Sequence, residues 1–505
     1  MPEAGLRGAT ADGRVALSCA VMNERSSVTE LADRLRREVE RYPEGRKLPS
    51  SRVLVERHQV SPVTVSRAIA VLAAEGLVVS RPGAGVFRAA AFAGRPAGTA
   101  APAARPGDLS WQEVALSADS DPRDLLAAPV FATLRVPPPD VIDLNSGYPH
   151  ASLLPERLLA TALTRAGRRP GAWNRPPTDG LTELRGWFAR DIGGTGGPIG
   201  AGDVLITSGG QGGLTVAMRS LAAPGAPVLV ESPTYSGILA VVRAAGLRPV
   251  PVPVDADGVR TDLLADAFEA TRARVFVCQP LFQNPTGAVL SPTRRSEVLR
   301  IARAAGAFVV EDDFARLLVH ADAPALPRPL AADDQDGVVV HLRSLTKAAS
   351  PNLRVGALTA RGPALARLRA TQVVDSFFVP RPLQEATLEL VADPGWARHL
   401  RALGAELRTR RTATVAALHR ELPGLLGTYR PGGYHLWLRL PDGVDDAALT
   451  AAALRAGVQV TPGRPYHAAE PPAPHLRLSY AAAESSAHAV EGIHRLRRAY
   501  EDLPA

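Results

Sequence analysis

The stretch RSLTKAASPNLRVG, Arg343 to Gly356, sits between two apolar runs, VVVHL from Val338 and RVGALTA from Arg354, so Lys347 stands just beyond the end of a buried strand. Open α/β sheets bind ligands in the crevice outside the carboxyl ends of their strands, and an amine placed there enters a cleft. Five more runs have the same character: VLITS from Val204, PVLVES from Pro227, PVPVPV from Pro249, RVFVCQP from Arg274 and AFVVED from Ala307. Glycines, prolines and helical patterns separate them. Short, uniformly apolar runs alternating with helices predict an α/β unit with a seven-stranded, mostly parallel sheet covered on both faces. After about Leu365 the pattern changes to Arg-rich amphipathic helix, the strand-like GGYHLWLRLP, another helix and HLRLSYA. That change predicts a smaller α+β domain.

The large part gathers four kinds of group in one order. TSGGQGGL, with Gly209 to Gly213, turns a strand into a helix and offers free backbone N–H groups to a phosphate. Asp312, in VVEDDF, ends a buried strand; its neighbour Asp313 competes for the same role. ESPTY ends another strand in an aromatic residue, Tyr235, and Lys347 supplies the amine. A lysine, an acid, a phosphate cradle and a stacking ring are what pyridoxal 5'-phosphate (PLP) requires.

From about Asn145 to Tyr480 these pieces resemble a fold type I aminotransferase. The resemblance implies that Lys347 holds PLP as an imine, Asp312 faces its ring nitrogen, Tyr235 stacks on the ring and Asn284 of QNPTG bonds the ring hydroxyl. It implies Gly210, Gln211, Ser344, Thr346 and Arg354 around the phosphate, and Arg477 of HLRLSYA on a substrate or effector α-carboxylate, a role suited to a two-pronged guanidinium. Two departures stand out. Phe314 replaces the usual tyrosine two residues after the aspartate, and Trp173-Asn174-Arg175-Pro176 replaces a Tyr-Gly-Asp-Pro whose tyrosine reaches the partner subunit's phosphate.

Upstream, VTELADRLRREVERY carries Val28, Leu31, Leu35 and Val39 at the spacing of one helical face. GRKLPSSRVLVERHQVSPVTVSRAIAVLAAEGLV then gives a turn, a short helix capped at Ser50 or Ser51, and a longer helix capped at Ser61 with Pro62 at its first position. Val65, Ala68, Ile69 and Leu72 form the inward face of that helix, leaving Thr64, Ser66 and Arg67 outward, where a recognition helix meets the major groove. A Gly-rich hairpin, Arg81 to Gly85, makes a wing. These elements resemble the winged helix-turn-helix of the GntR family, which implies DNA contacts from Arg52, Ser61, Thr64, Ser66, Arg67, Arg81 and Gly83.

The span Ala89 to Arg105 is almost wholly Ala, Pro, Gly and Arg and reads as a linker. The organisation expected is therefore a reader at 26–90, a linker at 91–139, a PLP-binding large domain at 140–365 and a small domain at 366–505, with 106–139 open between linker and the first arm of the large domain. A GntR-type reader joined to an aminotransferase-like domain resembles the MocR-like regulators. That resemblance implies a head-to-tail homodimer, a double-stranded DNA operator, and an effector, either PLP or an amino acid or amine sensed as its aldimine. The alternative is a working aminotransferase with an accessory DNA-binding domain.

Composition agrees with this organisation. A length of 505 residues exceeds one ordinary core, and a formal charge of +8 suits a polyanionic partner, although arginine is abundant everywhere. Cys19 and Cys278 are too few for a disulfide framework and lack zinc-site spacing, so no metal is expected. No apolar run is long enough to span a bilayer and the start lacks a leader pattern, which points to a cytoplasmic protein without a membrane partner.

Overall fold

The computed structural model describes residues 28–81, 85–89 and 123–503. The chain divides into two compact units, one up to Leu109 and one from Ser110.

In the first unit a helix over 28–39 buries Leu31, Ala32, Leu35 and Val39. The helix Ser51–His58 starts at Ser50, whose side chain accepts from the Val53 N–H, and ends at Gln59 in the left-handed region. The helix Pro62–Ala74 starts at Ser61, whose hydroxyl accepts from the Thr64 N–H, with Pro62 in its first turn. Gly76, at φ 71°, turns the chain out of it, and the Leu77 N–H closes back on the Leu72 carbonyl at 2.9 Å. This is the glycine-terminated helix end that leaves no carbonyl stranded. The strands β1 (Val78–Arg81) and β2 (Gly85–Arg88) then pair antiparallel, Val78 opposite Arg88. Leu48 adds to the hairpin edge through its N–H on the Val86 carbonyl, 2.7 Å.

One expectation is corrected here. Thr64 does not point outward: it is buried, and its hydroxyl lies 2.8 Å from that of Ser61. With Val65, Ala68 and Leu72 it completes the inward arc, since Thr64 and Ala68 are one turn apart. Ile69 is half-buried, while Ser61, Ser66, Arg67 and Arg52 are exposed. Arg81 ends β1, and Gly83 lies outside the described residues.

The second unit is built on a sheet ordered β4 (Val204–Thr207), β11 (Gly356–Thr359), β10 (Val339–Ser344), β9 (Phe308–Asp313), β8 (Val275–Cys278), β5 (Pro227–Ser232), β6 (Arg248–Asp255), β7 (Gly258–Val259). The run from β10 to β6 is parallel, and β11 runs against both its neighbours. Eight strands thus replace the seven expected. The extra one, β7, is a two-residue strand returning antiparallel on β6, too short to show a period. Both faces are buried: along β8, Val275 and Val277 join one apolar cluster and Phe276 and Cys278 the other. This two-sided burial is why the strands read as continuous apolar runs.

A three-stranded sheet, β12 (His435–Arg439), β15 (His475–Ser479) and β14 (Thr461–Pro462), forms the smaller part, with the helices Pro394–Glu421 and Ser486–Glu501 packed on each other beside it. The boundary expected at 365/366 falls inside the helix Gly362–Ser376, which packs on the helix Gly209–Leu221 and on β4. Likewise β3 (Ile142–Asp143), early in the chain, pairs with β13 (Val458–Gln459). An amphipathic pattern reports that a helix has a buried face, not which sheet covers it. Within the span read as linker, Arg123–Leu134 is a helix packed against the helix Ser236–Ala244. No helix among the described residues is long and apolar enough to cross a membrane.

Candidate functional site

A cleft opens at the carboxyl ends of β5, β8, β9 and β10. Tyr235, Asn284, Asp312, Ser344, Thr346, Lys347, Arg354, Gly210, Gln211 and Arg477 all line it, so the structure brings together every residue that the sequence assigned to the cofactor and the effector carboxylate. Parallel topology explains this convergence, because each strand delivers its last residues to the same edge.

Lys347 Nζ donates to the Gly147 carbonyl at 2.6 Å and lies 3.7 Å from the centre of the Tyr148 ring. Burial, then the nearby Arg477 and Arg354, press its amine down to about 7, with Asp312 opposing. Asp312 is buried and accepts from Gln279 Nε2 at 2.7 Å. Burial raises its carboxyl to about 6 in spite of that hydrogen bond. One layer behind, Glu231 is raised by burial to about 7 and accepts from the Gln279 backbone N–H at 3.0 Å.

At one end of the cleft the helix Gly209–Leu221 begins without a side-chain cap, leaving its first N–H groups free. Arg354 closes over this turn: its guanidinium would lie 3.1 Å from a Cβ at Gly209, and it donates to the Ser208 carbonyl at 2.7 Å. Gly209, at φ 73°, has neither the backbone freedom nor the space to become another residue. Ser344 and Thr346 join their hydroxyls at 2.9 Å beside it. At the other end Arg477, almost wholly buried, donates to the Asn145 carbonyl and to the Thr461 hydroxyl, while its Nε has no partner. The Oδ1 of Asn284, buried in the wall, also lacks one. Unsatisfied buried groups are costly, and those aimed at a cleft mark where a ligand's polar atoms fit.

Sequence reasoning missed Gly147, Tyr148, Gln279, Tyr434, Thr133, Leu134 and Leu214, which also line the cleft. Tyr434 donates to the same Gly147 carbonyl as Lys347, also at 2.6 Å. Phe314 lines the cleft where the resemblance places a tyrosine, so no phenol acts from that position. Trp173 and Arg175 are exposed and do not line it.

Asp313, the alternative to Asp312, points elsewhere. It pairs with Arg316 at 2.6 Å and Arg343 at 3.0 Å. Burial alone would raise its carboxyl; Arg343, Arg316 and His341 outweigh that and hold it below the usual range. Glu311, Asp313 and His341 come within 4.8 Å of one another, close enough for a metal. Both Glu311 oxygens are engaged, by His341 Nδ1 and the Leu330 and Ala331 N–H groups, and two arginines occupy Asp313 Oδ2, while Asp313 Oδ1 and His341 Nε2 have no hydrogen-bond partner.

The cleft therefore offers an attacking amine poised near neutrality, a buried acid, an anion cradle and a guanidinium whose Nε lacks a partner. Comparison with known proteins agrees with this geometry. The profile of aminotransferase class I and II matches residues 139–496, and that of bacterial regulatory proteins of the gntR family matches residues 28–87. The chain is 33% identical over 372 residues to a 2-aminoadipate transaminase of Thermus thermophilus, covering 73% of this chain and 92% of that protein. It is 27% identical over 449 residues to YdcR of Escherichia coli, an uncharacterised HTH-type transcriptional regulator, covering 87% and 92%. The crystal structure of LysN, the α-aminoadipate aminotransferase of Thermus thermophilus complexed with N-(5'-phosphopyridoxyl)-L-leucine, matches with a TM-score of 0.69 at 29% identity, covering 78% of this chain and 98% of that one. This chain belongs to the aminotransferase class I and II family, with a gntR-family helix-turn-helix fused ahead of its aminotransferase-class part.

Proposed function

We propose that this protein is a cytoplasmic DNA-binding transcriptional regulator whose aminotransferase-class unit binds PLP and senses PLP or an amino-acid or amine effector. One observation carries the reading: a gntR-family match and a cleft lined by the residues assigned to the cofactor occupy one chain, which over 87% of its length is similar to a protein named an HTH-type transcriptional regulator.

Lys347 would hold PLP covalently, and an amine lowered to about 7 has a large neutral, nucleophilic fraction at neutral pH. Asp312 would face the ring nitrogen; a carboxyl raised to about 6 is ionised at neutral pH, and a cationic ring would hold it so. Tyr235 would stack on the ring and Asn284 bond its hydroxyl. The cradle of Gly210, Gln211, Ser344, Thr346 and Arg354 would take the phosphate, and Arg477 an effector carboxylate. Bound there, PLP supplies an aldehyde that couples reversibly to primary amines and a ring that withdraws electrons.

On the reader, the exposed Arg52, Ser61, Ser66 and Arg67, with Arg81 and Gly83 of the wing, would meet operator DNA. A head-to-tail homodimer would carry two readers and require two half-sites. The effector acts by binding two conformations unequally.

A second reading, a working aminotransferase, is favoured by the unbroken set of Lys347, Asp312, Arg354 and Arg477 and by the 33% identity to a transaminase. Sustained turnover with a keto acid separates the two. The test of the first reading is fluorescence anisotropy of the full chain on DNA from upstream of its own gene, at two salt concentrations, with and without PLP. Selective binding that changes with PLP is expected; no selective binding in either state transfers the case to the enzyme.

A further inference from the structure

Asn145 is buried and each of its polar groups is engaged. Its N–H donates to Asp143 Oδ1 at 2.8 Å, and its carbonyl accepts from Arg477 Nη2. Its Oδ1 accepts from the Thr461 hydroxyl at 2.5 Å, and its Nδ2 donates to the Ala132 carbonyl at 2.8 Å. Ala132 lies in the last turn of the helix Arg123–Leu134, where carbonyls have no partner within the helix. The Asn145 side chain therefore caps that helix end. The next two residues of the helix, Thr133 and Leu134, line the same cleft as Arg477.

We propose that Asn145 is the positioning residue through which a carboxylate gripped by Arg477 sets the end of the helix Arg123–Leu134, the first described element after the reader in the chain. This rests on the reading above that Arg477 takes the effector carboxylate.

A carboxylate binds a guanidinium through two parallel N–H donors. The buried Nε of Arg477 has no partner, and its Nη2, which belongs to either two-donor edge of the guanidinium, is shared between the Asn145 carbonyl and the Thr461 hydroxyl, 3.2 Å away. Turning the guanidinium toward a ligand redistributes those two bonds. Both end on Asn145, one directly and one through Thr461. A buried residue cannot replace a weakened partner with water, so the change passes to the side chain's other bond, the one to Ala132. The same segment is tied to the amine end of the cleft, because the Gly147 carbonyl takes both Lys347 Nζ and the Tyr434 hydroxyl. Residues 143–147 thus bond to the groups at both ends of the cleft, Arg477 and Lys347.

The test uses the full chain without PLP, loaded with either of two stable adducts, N-(5'-phosphopyridoxyl)-L-leucine or its counterpart made from 3-methylbutylamine, which lacks the carboxylate. Hydrogen exchange is followed in the helix Arg123–Leu134. Exchange there is expected to differ about fivefold between the two adducts, the factor that one net hydrogen bond is worth. Asn145→Ala keeps the backbone carbonyl that Arg477 uses, so it should bind both adducts and show no difference between them. Should that variant fail to fold, Asn145→Asp serves, since it has the same size and accepts from Thr461 but cannot donate to Ala132. Equal exchange with both adducts in the unaltered protein overturns the coupling, and a difference that survives in a folded variant overturns the role of Asn145. If neither adduct binds the unaltered protein, the cofactor reading itself fails and takes this inference with it.

Discussion

The two units bury polarity to opposite degrees. Among the described residues of the reader, Thr64 is the single buried polar side chain, and the core is aliphatic, from Leu31 to Val78. The cleft-bearing unit buries Arg343, Arg477, Asp312, Asp313, Glu231, Glu311 and His435, each nearly solvent-free. A surface that reads DNA works in water and against phosphates, so its functional groups stay outside and its core needs only packing. A site that tunes an amine and a carboxyl needs a low dielectric, so its charges are carried inward and must be paired there. The contrast predicts that in the reader function and stability reside in different residues and that in the cleft they are interleaved. Substitutions at four positions test that contrast.

The largest effect falls on Lys347. Lys347→Ala should abolish borohydride-trapped labelling by PLP altogether, while the fold survives, because the side chain spans the cleft instead of filling the core. Label recovered from the variant at full yield would place the covalent site elsewhere. In the unaltered protein the same residue gives a pH signature. Its amine loses its proton near 7 instead of the ordinary 10.5, and only the neutral amine attacks. Covalent uptake should rise between about pH 6 and about pH 8 and then flatten; a rise that continues to about pH 10 would mean that the cleft does not shift this lysine.

Next is Arg343, wholly buried, which bonds Asp191 at 2.6 Å and Asp313 at 3.0 Å. Removing one partner of a buried ion pair leaves an uncompensated charge and costs about 3–5 kcal/mol. Arg343→Met should lower the unfolding midpoint accordingly, read by denaturant titration, although Arg343 does not line the cleft. A loss under about 1 kcal/mol would show that Arg316 and His341 suffice for Asp313, and the claim that this unit depends on paired buried charge would weaken.

Arg67 is the counterpart in the reader: exposed on the helix Pro62–Ala74, outside the core. Arg67→Ala should weaken operator binding by about tenfold and leave the unfolding midpoint within about 0.5 kcal/mol. If stability falls as much as affinity, the separation of function from fold in this unit does not hold.

What the sequence made legible follows the same contrast. Lys347, Asp312, Tyr235 and Ser344 were readable because each stands at or just beyond a strand end, where an apolar run stops and a polar residue has a topological reason to be. Tyr148, Tyr434 and Asn145 were not, because they act through partners far along the chain: Lys347 is 200 residues from the Gly147 carbonyl it bonds, and Tyr434 is 287. No periodicity encodes such a meeting. The helix Arg123–Leu134 has no clear sequence signature: it carries Pro129 in its interior, and its end is completed by a side chain from outside the segment. β7 was too short to register. In the reader, Thr64 reads as outward from its polarity, yet it is buried, with its hydroxyl satisfied by that of Ser61 three residues earlier at the helix start.

Ser61 is where the contrast is most finely drawn, and the expected effect there is the smallest. The residue is exposed beside Arg67's helix face, which suits a DNA contact, yet its hydroxyl also accepts from the Thr64 N–H at 3.1 Å as the helix cap. Alanine at such a position costs about 1 kcal/mol, whereas glycine costs only a few tenths, because glycine leaves the exposed backbone open to water. Capping alone therefore predicts Ser61→Ala to be less stable than Ser61→Gly, with both holding operator DNA as the unaltered protein does at temperatures where they are folded. A hydroxyl that also touches the operator predicts an equal loss of affinity in the two variants, whatever their stabilities. Comparing both substitutions by thermal unfolding and by anisotropy separates the roles, and equal affinity loss would show that even in the reader one residue serves fold and function together.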